Sequence, residues 1–444
     1  MKKAPRPVDL GGFAHVFRTL RYRNYRLFFG GQLVSLIGTW MQQVAMIWLV
    51  YRMTNSPFLL GVVGFAGQMP AFLLSAFAGV LADRWNRHRM LIVTQSLAMA
   101  QAALLAVLTL TGVVAVWHIV SLSIFLGLVN AFDVPIRQSF LLDMIENRED
   151  LGNAIALNSS LFNGARLIGP AIAGMVIAAV GEGTCFVLNA LSYIAVIYAL
   201  TAMKITPRKR DAIQQGILKG LLEGFRYVAG SSPIRRILLL LALVSLTGMP
   251  YAVLMPIFAR DVLGGGPNTL GALMGATGVG AVTGALLLAS RTTVVGLGRW
   301  IPLAAGLFGA GLAAFTLSHT VWLSMLLLCF VGLGMMLQMG TSNTILQTIV
   351  DDDKRGRVMS FYALCFLGMA PFGSLLAGSL AGTIGAPKTL FISGMVCIIA
   401  AVIFAARLPS FRKEVRPIYV RLGIIPEVSP GIYAITDAAL PPEK

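Results

Sequence analysis

Charge is what this sequence has least of. Asp, Glu, Lys and Arg make up 12% of its 444 residues, about half the share of an ordinary soluble domain, which excludes a globule with a solvated surface. Cysteine is scarce as well. Cys185, Cys329, Cys365 and Cys397 are scattered through apolar stretches without paired spacing, so they read as small buried hydrophobes, not as a disulfide framework or thiolate metal site. No phosphate-cradling glycine loop, metal cluster or Ser-His-Asp arrangement is visible, and His118 and His319 fall near helix ends. An ATP-driven pump or a membrane hydrolase therefore lacks its parts: no enzyme, no cofactor and no metal are expected. The opening MKKAPRPVDL has no apolar core, so no cleavable signal peptide is expected.

Apolar residues are what the chain has in abundance, at 57% with a mean hydropathy of +0.79. Runs of roughly 20 apolar residues, enough for a helix to cross about 30 Å of hydrocarbon, recur from end to end. The alternation of a β-barrel is absent. Spans are expected at about 25–51, 57–82, 90–111, 117–142, 153–180, 184–203, 237–260, 268–290, 300–318, 321–349, 357–384 and 388–406. The fold class is thus all-α and polytopic, with twelve transmembrane helices. The expected organisation is an N-terminal segment 1–24, a six-helix bundle 25–203, a linker 204–236, a second bundle 237–407 and a tail 408–444.

The net charge of +17 does not point to nucleic acid, because the bases lie in every second loop. Lys2, Lys3, Arg6, Arg84, Arg87, Arg89, the run from Lys204 to Arg236, Arg291, Arg299, Lys354, Arg355 and Arg357 fall on one side, against Arg52, Arg260 and Lys388 on the other. Positive loops stay inside, so both termini are expected in the cytoplasm. The linker carries Ile213, Ile217, Leu221, Leu222, Phe225 and Val228 as an apolar stripe beside Lys219 and Arg226, the pattern of a helix lying on the membrane surface. The polar, proline-bearing tail after Arg407 reads as extended or disordered.

The two bundles are copies. LVSLIG at Leu33–Gly38 returns as LVSLTG at Leu243–Gly248, and the same shift of 210 pairs Pro57 with Pro267, Leu60 with Leu270 and Gly61 with Gly271. A shift of 204 pairs Gly152 with Gly356, Gly164 with Gly368, Gly174 with Gly378 and Gly181 with Gly385. Six helices separate the copies, so the halves run parallel, the plan of a transporter whose halves rock about a site between them.

The turn GVLADRWNRHRM puts Gly79, Asp83, Arg84, Arg87, His88 and Arg89 between the second and third spans. Here the chain resembles the major facilitator superfamily, whose corresponding loop carries Gly, Asp-Arg and a cluster of bases. Asn86 stands where that superfamily has glycine and is expected to take the left-handed conformation of a tight turn. The bases alone are explained by topology; Asp83 is not. The resemblance implies that Asp83 latches a closed cytoplasmic gate against the other half. Gly164, Gly169, Pro170 and Gly174 in NGARLIGPAIAG are similar to the superfamily's exporter signature, where small residues let helices approach and proline bends them. Phrases such as GLVNAFDVPIRQSF and RGRVMSFYAL resemble the enterobactin-exporter branch. That resemblance implies a monomeric inner-membrane exporter, driven by protons, whose substrate is a siderophore, drug or other small amphipathic molecule.

Ionisable residues within a span are costly and mark function. Asp133 and Arg137 are four apart on one helix face, and Arg166 is expected nearby. Asp133 is the candidate proton carrier, because burial opposes its charge while the arginines favour it; simple structural pairing is the competing reading. Gln32, Gln42, Gln43, Asn158, Asn163, Tyr251, Gln338 and Asn343 are candidates for lining a cavity, with Trp40, Met41, Met46 and Met255 adding a soft surface for apolar groups. An importer or lipid flippase of the same fold, or a transport-dead sensor, would share most of these features.

Overall fold

The structure, a computed structural model, describes residues 18–145, 147–204, 217–291 and 293–426, with backbone alone for 75–84, 148 and 217–221. Helices account for most of the described residues, with no strand among them. Six spans form the first half: α1 (Arg23–Thr54), α2 (Pro57–Arg84), α3 (Arg87–Leu110), α4 (Val116–Phe140), α5 (Leu151–Val180) and α6 (Glu182–Thr201). The linker holds α7 (Ile217–Gly230). The second half contains α8 (Ser232–Thr247), α9 (Tyr251–Ile257), α10 (Pro267–Ala289), α11 (Trp300–Phe315), α12 (Val321–Ile349), α13 (Asp352–Ala363), α14 (Met369–Ile384) and α15 (Ala386–Ala406). With α8–α9 and α13–α14 each making one crossing, twelve segments are long and apolar enough to span a membrane. An even number of crossings puts the start of α1 and the end of α15 on one side, called here the basic end; the opposite side is the distal end.

Each half packs chiefly on itself, α1 against α5 and α6, α2 against α4, α10 and α11 against α12. The halves meet along two seams, α2 with α14 and α5 with α10. Outward-facing side chains such as Trp322, Leu303 and Leu286 are exposed and apolar, as a lipid-facing surface requires, since membrane interiors reverse nothing of the packing but remove the need for a polar exterior. Both α5 and α14 stop at a glycine with a positive φ, Gly181 at 86° and Gly385 at 88°. These two positions are partners under the 204-residue shift, and side-chain-bearing residues rarely take that conformation.

Three expectations are corrected. The seventh span begins at Ser232, not near 237, and breaks at Gly248–Pro250 before resuming as α9, because Pro250 brings no N–H to continue the ladder. The tail does not leave the protein at Arg407: Leu408–Arg421 forms a further helix, α16. Its Phe411 and Val415, four apart, are buried, with Phe411 5.7 Å from the Phe404 ring. Ion pairs from Glu414 to Arg236 (3.3 Å) and Arg421 to Asp351 (3.0 Å) fix it to the second half. Finally, Asn86 is extended (φ −69°), and its side chain caps α3 by accepting from the Arg89 N–H at 3.2 Å. Capping rather than left-handed geometry explains this asparagine.

Candidate transport pathway and its polar sites

At the distal end, backbone meets backbone. A Cβ on Gly61 of α2 would lie 2.6 Å from the Ser374 carbonyl and 3.0 Å from the Gly378 Cα. On Gly174 of α5 it would lie 2.7 Å from the Pro267 carbonyl and 3.1 Å from the Gly271 Cα. The 210 shift relates Gly61 to Gly271 and the 204 shift relates Gly174 to Gly378, so the two crossings are one contact made twice. Small residues permit this approach in lipid, where packing rather than water exclusion drives helix association. Gly174 was singled out as part of an exporter signature; its neighbour Gly169 packs against Trp40 and Ile37 of α1, and Pro170 offers its carbonyl towards Gly271.

Polar contacts reinforce this closure. The Tyr51 hydroxyl donates to the Asp261 carboxylate across the two halves, again between positions 210 apart. Arg260 donates to Asn55 Oδ1 at 2.7 Å and stands 5.8 Å from the Tyr51 ring. None of these four residues was named as a site residue from the sequence.

Towards the basic end the α5–α10 seam opens. Leu167 still touches the place where a Gly278 Cβ would be, at 2.7 Å from its Cα. Four-residue steps down that face of α5 reach Asn163, then Ser159 and Ser160, then Ala156 and Gly152; Asn163 is half-buried and the rest are exposed. Gly152, Gly164 and Gly356 have open space where a side chain would go.

Asp133 lies within the first half, 3% exposed. Its Oδ1 accepts from Thr94 Oγ1 and Gln95 Nε2 of α3, both at 2.8 Å, and its Oδ2 is 3.5 Å from Arg137 Nε. Arg137 also donates to Gln32 Oε1 of α1 at 3.1 Å. The expected i, i+4 pair is therefore present, and two neighbouring helices complete it. Arg166 is not part of it: its guanidinium is 5.7 Å from the Trp40 ring and donates to Met335 Sδ at 3.5 Å. The reason is topological, since α5 borders α1 and α10 while α4 borders α2 and α3.

Gln42 and Tyr251, expected at a cavity wall, are buried in helix packing. Gln42 donates to Gln101 Oε1 (2.9 Å) and accepts from Asn189 Nδ2 (2.8 Å), tying α1 to α3 and α6. Tyr251 sits edge-on to Phe308, ring centroids 6.3 Å apart. Gln43 is exposed and Asn158 half-buried. Asn163 donates to the Ser159 carbonyl of its own helix at 2.9 Å, and Asn343 accepts from Gln347. Gln338 is 2% exposed, and its Nε2 has no hydrogen-bond partner. At the basic end Arg87 is 3.4 Å from Asp143 of the same half, and Arg89 is exposed. Gly79, Asp83 and Arg84 fall in the last turns of α2, where side chains lie outside the described residues.

A model of a family described as transmembrane secretion effector, a branch of the major facilitator superfamily, matches residues 14–419. The chain belongs to this family. Among curated relatives of the secretion effector family, a staphyloferrin A transporter of Staphylococcus aureus is 29% identical over 85% of this chain and 95% of its own length. The multidrug efflux pump Tap of Mycolicibacterium fortuitum is 26% identical over 83% and 92%. Macrolide efflux protein A of Streptococcus pyogenes is 22% identical over 86% and 96%. Among solved structures, a bacterial homologue of the human lysosomal transporter Spinster, inward-facing and unoccupied, superposes with a TM-score of 0.71 at 13% identity, covering 91% of this chain and 99% of that one. At that identity the likeness speaks for the fold. The chain is a multi-pass membrane transporter of the major facilitator type.

Proposed function

We propose that the protein exports a small amphipathic molecule, a siderophore or drug, by alternating access and in exchange for protons. The positive loops set the basic end in the cytoplasm of a bacterial inner membrane, so the state described is open inward. The observation that carries the reading is the pair of repeat-related glycine seams, both zipped distally, with the α5–α10 seam open at the basic end. Two rigid halves joined this way exchange access by rocking. The names of the relatives, a siderophore transporter and two kinds of drug efflux protein, support the class of cargo. On rocking, Gly152 and Gly356 close on each other's halves, and Asp83 supplies the cytoplasmic latch.

Asp133 carries the proton in this scheme. Its three donors, Thr94, Gln95 and Arg137, suit a carboxylate. Gln95 Oε1 has no partner, so rotating that amide would present an acceptor to a protonated Asp133. Both protonation states are then satisfied by one residue, which keeps the cost of a buried polar group low.

The test is flux of a siderophore, a macrolide and a cationic dye in proteoliposomes under an imposed pH gradient. Gradient-driven movement of at least one of them is expected. Asp133→Asn should cut it tenfold or more while the protein still purifies as a single species. Movement indifferent to both the gradient and this substitution would sink proton exchange.

A further inference from the structure

Arg166 is a cation at mid-height of α5 that, among the described residues, pairs with no carboxylate; its contacts are a tryptophan face and a thioether. A guanidinium held within a span is expensive, and such residues persist where a partner arrives to use them. Its position says what arrives. Leu167, the next residue, is packed against α10, whereas the seam below Asn163 is open, so Arg166 stands at the closed apex of the basic-end opening. Facing it from the second half is Met335. One and two turns nearer the opening on the same face of α12 come Gln338 and Ser342, both buried, whose Nε2 and Oγ have no partner. Phe162, exposed, meets Trp40 edge-on at 5.8 Å.

We propose that Arg166 and Gln338 form an oxyanion-binding site at the apex of the cavity, so that the transported molecule carries a carboxylate or equivalent anionic group beside an apolar body. The planar guanidinium fork matches a carboxylate's two oxygens. Trp40 holds the fork from one side by a cation–π contact, and the tryptophan, phenylalanine and methionine supply the surface for the apolar part. Because Arg166 and Gln338 come from different halves, the anion is gripped from both sides and feels the halves separate. This inference rests on the transport reading and gives its cargo a charge. The same oxyanion chemistry is offered by a substrate carboxylate and by a lipid phosphate.

The experiment uses the full-length protein in phosphatidylcholine nanodiscs, with 1-pyrenebutyrate and 1-pyrenebutanol as probes and tryptophan-to-pyrene energy transfer as the readout. The acid should bind at least tenfold more tightly than the alcohol. Arg166→Gln should erase that preference, Arg166→Lys should keep part of it, and Gln338→Leu should weaken the acid about threefold without touching the alcohol. Adding phosphatidylglycerol separates the sources: competition with the acid assigns the site to a lipid headgroup, and no competition assigns it to substrate. A preference for the acid that survives Arg166→Gln overturns the proposal. Because binding needs no gradient, retained Arg166-dependent binding without any flux would sink transport alone. Flux with an unchanged acid preference in Arg166→Gln would sink the anion site alone.

Discussion

At the distal end Gly61 faces Gly378 and Gly174 faces Gly271 with no side chain between them; at the basic end Gly152 and Gly356, related by the same repeat, face open space. The polar contacts divide in the same way. Distally, Tyr51 reaches Asp261 and Arg260 reaches Asn55 from one half to the other. Among the described residues, the ion pairs at the basic end tie a half to itself or to the helices beside it: Arg18 and Arg21 with Asp150, Arg87 with Asp143, Arg357 with Glu223 of α7, Arg236 with Glu414 of α16. Cross-half contacts at the distal end, beside a staple within the first half from Arg52 to Glu182 (2.7 Å), and the staples at the basic end make a clasp and two stiff levers. Stapling each half where it is not joined to its neighbour lets it move as a unit.

The largest effect should come from forcing side chains into the two kinds of glycine. A Leu at Gly174 meets the Pro267 carbonyl, and overpacking of this kind costs about 1–3 kcal/mol. Gly174→Leu should therefore shift the population towards a distally open state by tenfold or more, read as increased labelling of a cysteine placed at Ala377, which is buried beside Gly378. Gly152→Leu should do the reverse, leaving distal labelling low and blocking closure of the basic end. Transport falls in both variants for opposite reasons. Equal labelling in the two would show that the seams do not move.

The repeat that predicts this contrast was readable in the sequence, because glycine and proline at fixed spacing survive duplication where a close approach needs them. The twelve spans were readable for a similar reason: hydrocarbon thickness sets their length. Asp133 with Arg137 was visible as an i, i+4 pair, but Thr94, Gln95 and Gln32 come from other helices, and no local pattern announces them. The direction Arg166 faces follows from which helices border α5, a property of the whole bundle. Two signals were present and unused. The apolar positions Phe411, Val415 and Ile418 have helical spacing in the tail, although Pro409 and Pro417 suggested disorder. Shifting Tyr51 by 210 lands on Asp261, which names the distal clasp directly.

That clasp should give a smaller effect than the glycines. A hydrogen bond to a charged acceptor contributes about 1.5–3 kcal/mol when buried, but the Asp261 side chain is 47% exposed, and solvent screening brings the expectation to about 1 kcal/mol. Tyr51→Phe should raise distal labelling about fivefold. Asp261→Ala on top of it should add little, because the shared bond is already gone, leaving only the effect on the neighbouring Arg260. Additive effects of the two substitutions would mean that Tyr51 and Asp261 act separately.

The smallest effect belongs to a staple at the basic end, and pH reads it. Asp150 is buried and takes contacts from Arg18 Nε (3.2 Å), Arg21 Nη2 (2.7 Å) and the Tyr22 hydroxyl (2.6 Å). The Tyr22 hydrogen bond and the two arginines hold its carboxyl below the usual carboxylate range. A carboxyl depressed in the folded state adds stability that is complete above its unfolded value, about 3.9, and fades as pH falls through the lower folded value. Hydrogen exchange over residues 18–22, corrected for intrinsic rates, should thus stay constant from pH 8 to about pH 5 and rise only below about pH 4. Asp150→Asn should raise it at every pH while leaving distal cysteine labelling unchanged, since this contact stiffens one lever and does not touch the clasp. Release beginning above pH 5, or a change in distal labelling, would mean that the basic-end staples and the distal clasp are coupled after all.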